Sequence, residues 1–447
     1  MKNIYLYALL IATFGFACQG DKKEKAAKPQ KVSIAEIEDG IRKHIAKKTE
    51  ADSGYFRIKD GEKELNLKLV RVHTEYLSNL GPQRYFACVD LAEIDGNVYD
   101  VDFFLEGARD DMLVTQTTVH KLNGKPFYTW KQRPDKTWHR VEVAQASNQL
   151  LGVIEGEDAF TFTYEAQLPE LSSNAQLWMP LAQTDDFQEV EIVSIDAPVE
   201  HQVLKEQQNG NDILYLSLTP AASGKTIKVI YEVKRKEKSS YTSDEDNLER
   251  HLQGTELLPV GGRFQDIVDE ILVKVPEDNQ LMQARAIYDY IIDNVAYKKV
   301  GVYGTGDANY ACDAKSGNCT EFHSFFISLA RTAGIPARFA IGASIPSERN
   351  EGGINGYHCW AEFHAEGKWW PVDISEGNKY TPLATYYFGH HPANRIELSR
   401  GRDLEMDPGP ASGPINFHAY PLLEVDGKKV DVKTTFSFER ETSGAES

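Results

Sequence analysis

Apolar residues recur at helical spacing in Ile34, Ile37, Ile41 and Ile45, which predicts a helix near the start of the folded chain. The pattern then changes to period two. Leu65, Leu67 and Leu69 alternate with Asn66 and Lys68, and the runs Cys88 to Ile94 and Asn97 to Phe104 flank Asp95-Gly96, a dipeptide favoured in two-residue hairpins. Residues 33–145 therefore read as a small α+β domain. Alternation continues over 150–237 in Phe160, Phe162 and Tyr164, in Val190 and Ile192, in Leu214, Leu216 and Leu218, and in Ile227, Val229 and Tyr231, the pattern of a β-sandwich. A polar run from Lys234 to Asn247 marks the next boundary. Within 250–405, Gln280 to Val295 reads as a helix, and Phe322, Phe325, Phe326, Leu329, Ala330 and Ala333 form the buried stripe of another. Asn318 with Glu321 supplies a capping box for that second helix, and Gly334 with Pro336 a stop signal. In 406–447, Ala419 to Val425 and Val430 to Phe438 flank Asp426-Gly427 as a C-terminal β-hairpin extension before a polar tail. The expected fold class is α+β, multidomain.

Composition narrows the functional classes. The 447 residues are 41% apolar and 26% charged, ordinary for a chain that packs real cores. A formal net charge of −18 repels phosphate backbones, so nucleic acid is not an expected partner. Lys2 followed by the apolar run Ile4 to Ala17 is shorter than the roughly 20 residues a spanning helix needs, and reads as a signal peptide over 1–17. Gly15-Phe16-Ala17-Cys18 resembles a bacterial lipobox, with Cys18 as the lipidated first mature residue and the polar stretch 18–32 as a flexible tether. The expected location is the bacterial cell envelope, with the membrane reached through the N-terminal lipid. Four cysteines remain, Cys88, Cys312, Cys319 and Cys359, too few and too scattered for a disulfide framework. Cys88 reads as a small core hydrophobe, and a Cys312–Cys359 bridge stays open.

Chemistry gathers around Cys319, the first helical residue after the Asn318 cap. Unpaired N–H groups and the positive helix end there favour thiolate over thiol. Alone, the residue could equally be a small side chain at a tight loop-to-helix junction. A base and an acid tip the balance: His358 in Tyr357-His358-Cys359-Trp360 and Asp373 in Trp369-Trp370-Pro371-Val372-Asp373. If Ala365-Glu366-Gly367 turns the chain so that Phe363 faces Lys368, then His358 lies directly opposite Asp373 on one face of a hairpin. The carboxylate would fix the imidazole tautomer, the imidazole would sustain the thiolate, and the thiolate would attack an acyl carbon. His323, one helical turn after Cys319, ranks second as base because it leaves little room for substrate. A zinc site from Cys312, Cys319, His358 and Cys359 is set aside on spacing, with Cys359 expected in the core. No metal and no cofactor is assigned.

Gly317-x-Cys319 opening a helix that ends Arg331-x-x-Gly334-Ile335-Pro336-Ala337-Arg338, followed by His358-x-Trp360 and Trp370-x-x-Asp373, resembles the transglutaminase-like superfamily. The resemblance covers about 263–377 and implies a papain-like core with Cys319, His358 and Asp373 as its triad. Leu177-Trp178-Met179-Pro180-Leu181 and the stretch from Phe388-Gly389 to Gly401-Arg402-Asp403 are similar to flanking parts of bacterial members. The expected activity is that of a cysteine peptidase, amidase or acyltransferase on a peptide or protein substrate, with hydrolysis favoured. The competing expectation is an envelope binding or scaffold lipoprotein whose core turns over little.

Overall fold

The computed structural model describes residues 32–440, apart from 61–62, 74–76, 82, 109–110, 124, 133–137, 143–151, 246, 300–302, 348 and 380–382. The signal peptide over 1–17, most of the tether over 18–32 and the lipidation position Cys18 lie outside the described residues. The chain is mixed α+β, mostly sheet, with several packed cores.

Helix α1 (Ile34–Ala51) begins at a capping box in which Ser33 and Glu36 satisfy each other's backbone N–H groups. Its Ile37, Ile41 and Ile45 are buried against a sheet ordered Phe56–Asp60, Lys63–Val72, Arg84–Ala92, Val98–Ala108, Asp111–Leu122, Lys125–Pro126. Alternation divides the central strands cleanly: Ala87, Val89, Leu91, Val101 and Phe103 face α1. The loop at Asp95-Gly96 has three residues, not two, because Glu93 N–H donates to Asn97 C=O at 2.8 Å, and Gly96 takes the positive φ. The opposite face carries Val70, Ala92 and Val98 into the core of the C-terminal unit, so this sheet is covered on both sides.

The sandwich is built from two five-stranded sheets. One is ordered Gln188–Asp196, Thr226–Lys236, Glu157–Gln167, Lys433–Arg440, Glu351–Ile354; the other His201–Lys205, Asp212–Leu218, Ala175–Leu181, Leu422–Val425, Lys428–Val430. The expected pairing of Ala419–Val425 with Val430–Phe438 is thus replaced. Leu422–Val425 turns back only onto Lys428–Val430, and Lys433–Arg440 crosses to the other sheet, where Phe436 and Phe438 bury their rings. Burial of such rings contributes about 1.5–3 kcal/mol each, enough to draw the end of the chain away from a simple hairpin extension.

The remaining unit contains α2 (Arg263–Leu272), α3 (Gln280–Asn294), α4 (Ala308–Ala314), α5 (Cys319–Thr332) and α6 (Ile374–Lys379). They pack on an antiparallel sheet ordered Lys368–Val372, His358–Ala365, Ala337–Ser344, Arg395–Arg400. Phe322, Phe325, Phe326 and Leu329 of α5 lie fully buried in one core with Ile341, Cys359 and Phe363. Gly334 at φ +76° ends α5, and Ile335 N–H closes on Ala330 C=O at 2.9 Å, as the sequence stop signal requires. Glu362 anchors the sheet from its other face. This buried carboxylate accepts from Lys238 Nζ at 2.9 Å, Tyr241 Oη at 2.9 Å and Arg338 Nε at 2.8 Å, tying the segment after the sandwich to the strand that carries His358. Removing one partner of such a buried pair costs about 3–5 kcal/mol.

Candidate active site

Cys319 stands where the cap predicted it. Asn318 Oδ1 accepts from Thr320 N–H at 2.8 Å, and Glu321 Oε2 accepts from Asn318 N–H at 3.0 Å. Glu321 is buried and also accepts from Gly306 N–H through Oε1 at 2.9 Å, so the loop before α5 is held to its first turn. Gly317 is required by this arrangement, because a Cβ there would lie 2.4 Å from that of Glu321.

His358 opens its strand, and Asp373 follows the neighbouring one as the residue before α6. His358 Nε2 and Asp373 Oδ2 are 2.6 Å apart. Asp373 Oδ1 accepts from Ser375 Oγ at 3.0 Å and Glu376 N–H at 3.1 Å, so the carboxylate both caps α6 and holds the ring. The register differs from expectation by two residues. Ala365 pairs with Lys368 across the tight turn Glu366-Gly367, both at positive φ, and Phe363 faces Trp370. His358 and Asp373 are consequently diagonal neighbours, not directly opposed, and their side chains close the remaining gap.

The Cys319 sulfur lies close enough to the His358 ring for each to shift the other's pKa, which sets Cys319 beside the His358–Asp373 pair. Burial works against the charged ring, but Asp373 and Cys319 raise His358 to about 9. Burial likewise pushes the Asp373 carboxyl up, and His358, helped by His323 and Arg395, overrides it and holds the group well below the carboxylate range. The Cys319 thiol is drawn far down by a hydrogen bond from Cys359 and then, against burial, by His358. Both directions favour the thiolate–imidazolium form of the pair.

Cys359 is the residue that sequence reasoning undervalued. It is fully buried as expected, yet its sulfur lies 3.6 Å from His323 Nδ1 and it helps to hold the Cys319 thiol down. The signal was present in the alternation of Cys359, Ala361 and Phe363, which places this face of the strand against α5. His323 does not qualify as base: its Nδ1 donates to Cys319 C=O at 2.7 Å and its Nε2 accepts from Ile374 N–H at 3.1 Å. Both nitrogens are engaged in a neutral tautomer, a brace between α5 and the start of α6. Cys88, Cys312, Cys319 and Cys359 are all free thiols, so the open Cys312–Cys359 bridge is absent. His358 lines a cleft of about 410 Å³ with Tyr297, Tyr357, Glu376, Lys379 and Arg395.

Residues 266–374, which include Cys319, His358 and Asp373, match the model of the transglutaminase-like superfamily. This part of the chain is a transglutaminase-like domain. A protein of Haemophilus influenzae, described as uncharacterized, is 28% identical over 318 residues, 60% of this chain and 85% of that protein. Among solved structures, a candidate cysteine protease from Cytophaga hutchinsonii is similar at 16% identity and TM-score 0.43, over 63% of this chain and 91% of that one. The periplasmic domain of TgpA from Pseudomonas aeruginosa is similar at 18% identity and TM-score 0.29, over 54% and 94% of the two chains. Among the described residues, no helix is long and apolar enough to cross a membrane.

Proposed function

We propose that this chain is an exported, lipid-anchored cysteine enzyme that acts on peptide or amide bonds through a thioester, with Cys319 as nucleophile, His358 as acid and base, and Asp373 orienting the ring. The observation that carries this reading is the 2.6 Å contact between His358 and Asp373 beside a cysteine set at a helix start inside the transglutaminase-like domain. The Cys319 thiolate attacks the acyl carbon, and the carbonyl electron pair moves to oxygen, where the Cys319 N–H at the head of α5 is one donor. Collapse expels the amine, which takes its proton from the His358 imidazolium, leaving a thioester and a neutral ring. Water then attacks while His358 removes its proton, and a second collapse releases the acid and restores thiolate and imidazolium. Asp373 stays ionised throughout and keeps the ring in the tautomer that faces sulfur.

Hydrolysis is favoured over transfer because water is abundant, and Glu376, the acidic side chain that lines the cleft with His358, is already paired with Lys379 at 2.7 Å. Incubation with a glutamine-bearing peptide and a labelled amine separates the outcomes: release without incorporation is expected, and efficient incorporation makes the protein a transferase. Absence of both, together with a Cys319 that alkylates no faster than Cys88, would favour the scaffold reading. Export and anchoring rest on the apolar N-terminal run and Cys18, and labelled fatty acid that attaches to wild type but not to Cys18→Ala is the expected result.

A further inference from the structure

The face of the N-terminal sheet turned towards the transglutaminase-like domain is not an ordinary core face. Cys88 and Asp90 on one strand stand directly opposite Asp102 and Asp100 on the next. His73 follows the adjoining strand, its N–H donating to Cys88 C=O at 2.9 Å. His120 is the extra residue at a bulge, where Asp100 pairs with Lys121 and Val101 with Val119. Ligand atoms of His73, Cys88 and Asp100 lie within 4.8 Å of one another, and so do those of Cys88, Asp102 and His120. The Cys88 sulfur belongs to both groups and is their hub.

Charge distinguishes this cluster from a satisfied polar interior. Asp90, Asp100 and Asp102 are fully buried, and the cations facing them are Lys121, paired with Asp100, and Arg285 of α3, 2.8 Å from Asp90. At the rim Arg71 and Asp289 offset each other. His73 faces Asp90 at 2.9 Å and His120 faces Asp102 at 3.5 Å. A divalent ion bound to a Cys88 thiolate places two positive charges beside these three buried carboxylates. The arrangement around it is also that of a metal site: Asp90 Oδ1 lies 2.9 Å from His73 Nε2, the carboxylate–histidine pairing that orients a ligating ring.

We propose that Cys88, His73 and Asp100, whose ligand atoms lie within 4.8 Å of one another, hold one zinc-type divalent ion in a closed structural site. Thiolate and imidazole donors select such a borderline ion over calcium or magnesium, which require oxygen ligands. The ion takes the place of the Cys88 thiol proton. Asp90 then links it to Arg285, so that it braces the N-terminal sheet against α3.

The test uses the full chain carrying Cys319→Ala, which removes the other reactive sulfur, stripped with chelator and titrated with zinc or cobalt. One zinc per chain by native mass spectrometry and a cobalt–thiolate charge-transfer band are expected. Adding Cys88→Ser should abolish the band and weaken zinc binding at least tenfold, and His73→Gln, which keeps a hydrogen-bond donor for Asp90, should weaken it at least tenfold with the fold intact by circular dichroism. A Cys319→Ala chain that binds no ion overturns the proposal, as does a cobalt band undiminished by Cys88→Ser. Should that variant not fold, unchanged zinc affinity in His73→Gln overturns it equally. None of these readouts depends on turnover by the triad.

Discussion

Cys319 and Cys88 are buried to the same degree, each 3% exposed, yet their thiols are driven in opposite directions. Cys319 is drawn far below the ordinary thiol range by Cys359 and His358, whereas burial, Asp100, Asp102 and Asp90 push Cys88 far above it. A unit charge about 4 Å away is worth roughly 4 kcal/mol at an effective dielectric near 20, about three pKa units, so the sign of the neighbours outweighs desolvation. One fold thus holds a thiolate made by an imidazolium and a helix start, and a thiol that yields its proton only to a cation.

The largest test of this contrast is removal of the low-pKa sulfur. Cys319→Ala should lower amide turnover by about 10⁴-fold or more, whereas Cys88→Ala should leave it within a few-fold; comparable losses in both would end the distinction. Asp373→Asn should lower kcat by roughly 10³–10⁴ because the amide no longer fixes the His358 tautomer, while still capping α6. A circular dichroism spectrum that collapses with this substitution would instead make the residue structural. His358→Ala should slow alkylation of Cys319 at pH 7 by about 10–100-fold, towards the rate of Cys88, as read by mass-resolved labelling.

The pH profile sharpens the same point. His358 is raised to about 9, so the imidazolium that protonates the leaving amine is present below that pH and is lost as pH rises through it. Turnover should fall about tenfold per unit well above pH 9 while alkylation of Cys319 persists; parallel loss of both would contradict separate roles. The smallest effect expected is that of Cys359→Ala, which removes a donor to the thiolate. It should reduce Cys319 alkylation in mildly acidic buffer a few-fold, about one neutral hydrogen bond's worth.

Much of the candidate site was legible because its parts are local. The cap at Asn318 and Glu321, the stripe from Phe322 to Ala333 and the stop at Gly334 fix α5 within one segment, and Cys319 follows from them. The hairpin register was missed by two residues because Glu366 adopts a positive φ that a non-glycine residue does not announce. The last strands were misplaced for another reason: pairing of Leu422–Val425 with Ala175–Leu181 depends on contacts hundreds of residues apart, which periodicity cannot report. The cluster at Cys88 was hidden by the same alternation that revealed the sheet. Asp100 and Asp102 alternate with Val101 and Phe103 along their strand, and Arg285 of α3, which meets Asp90 on the same face, is distant in sequence.

The interleaving of Leu422–Val425 and Lys433–Arg440 with strands made some 250 residues earlier has a temporal consequence. Tyr164 Oη donates to Ala419 C=O at 2.8 Å, so the sandwich waits on segments made long after its first strands. A chain cut at 421 keeps Cys319, His358 and Asp373 and loses an interior strand from each sheet. Completion of the architecture, and with it a settled cleft, is therefore deferred until those strands have emerged.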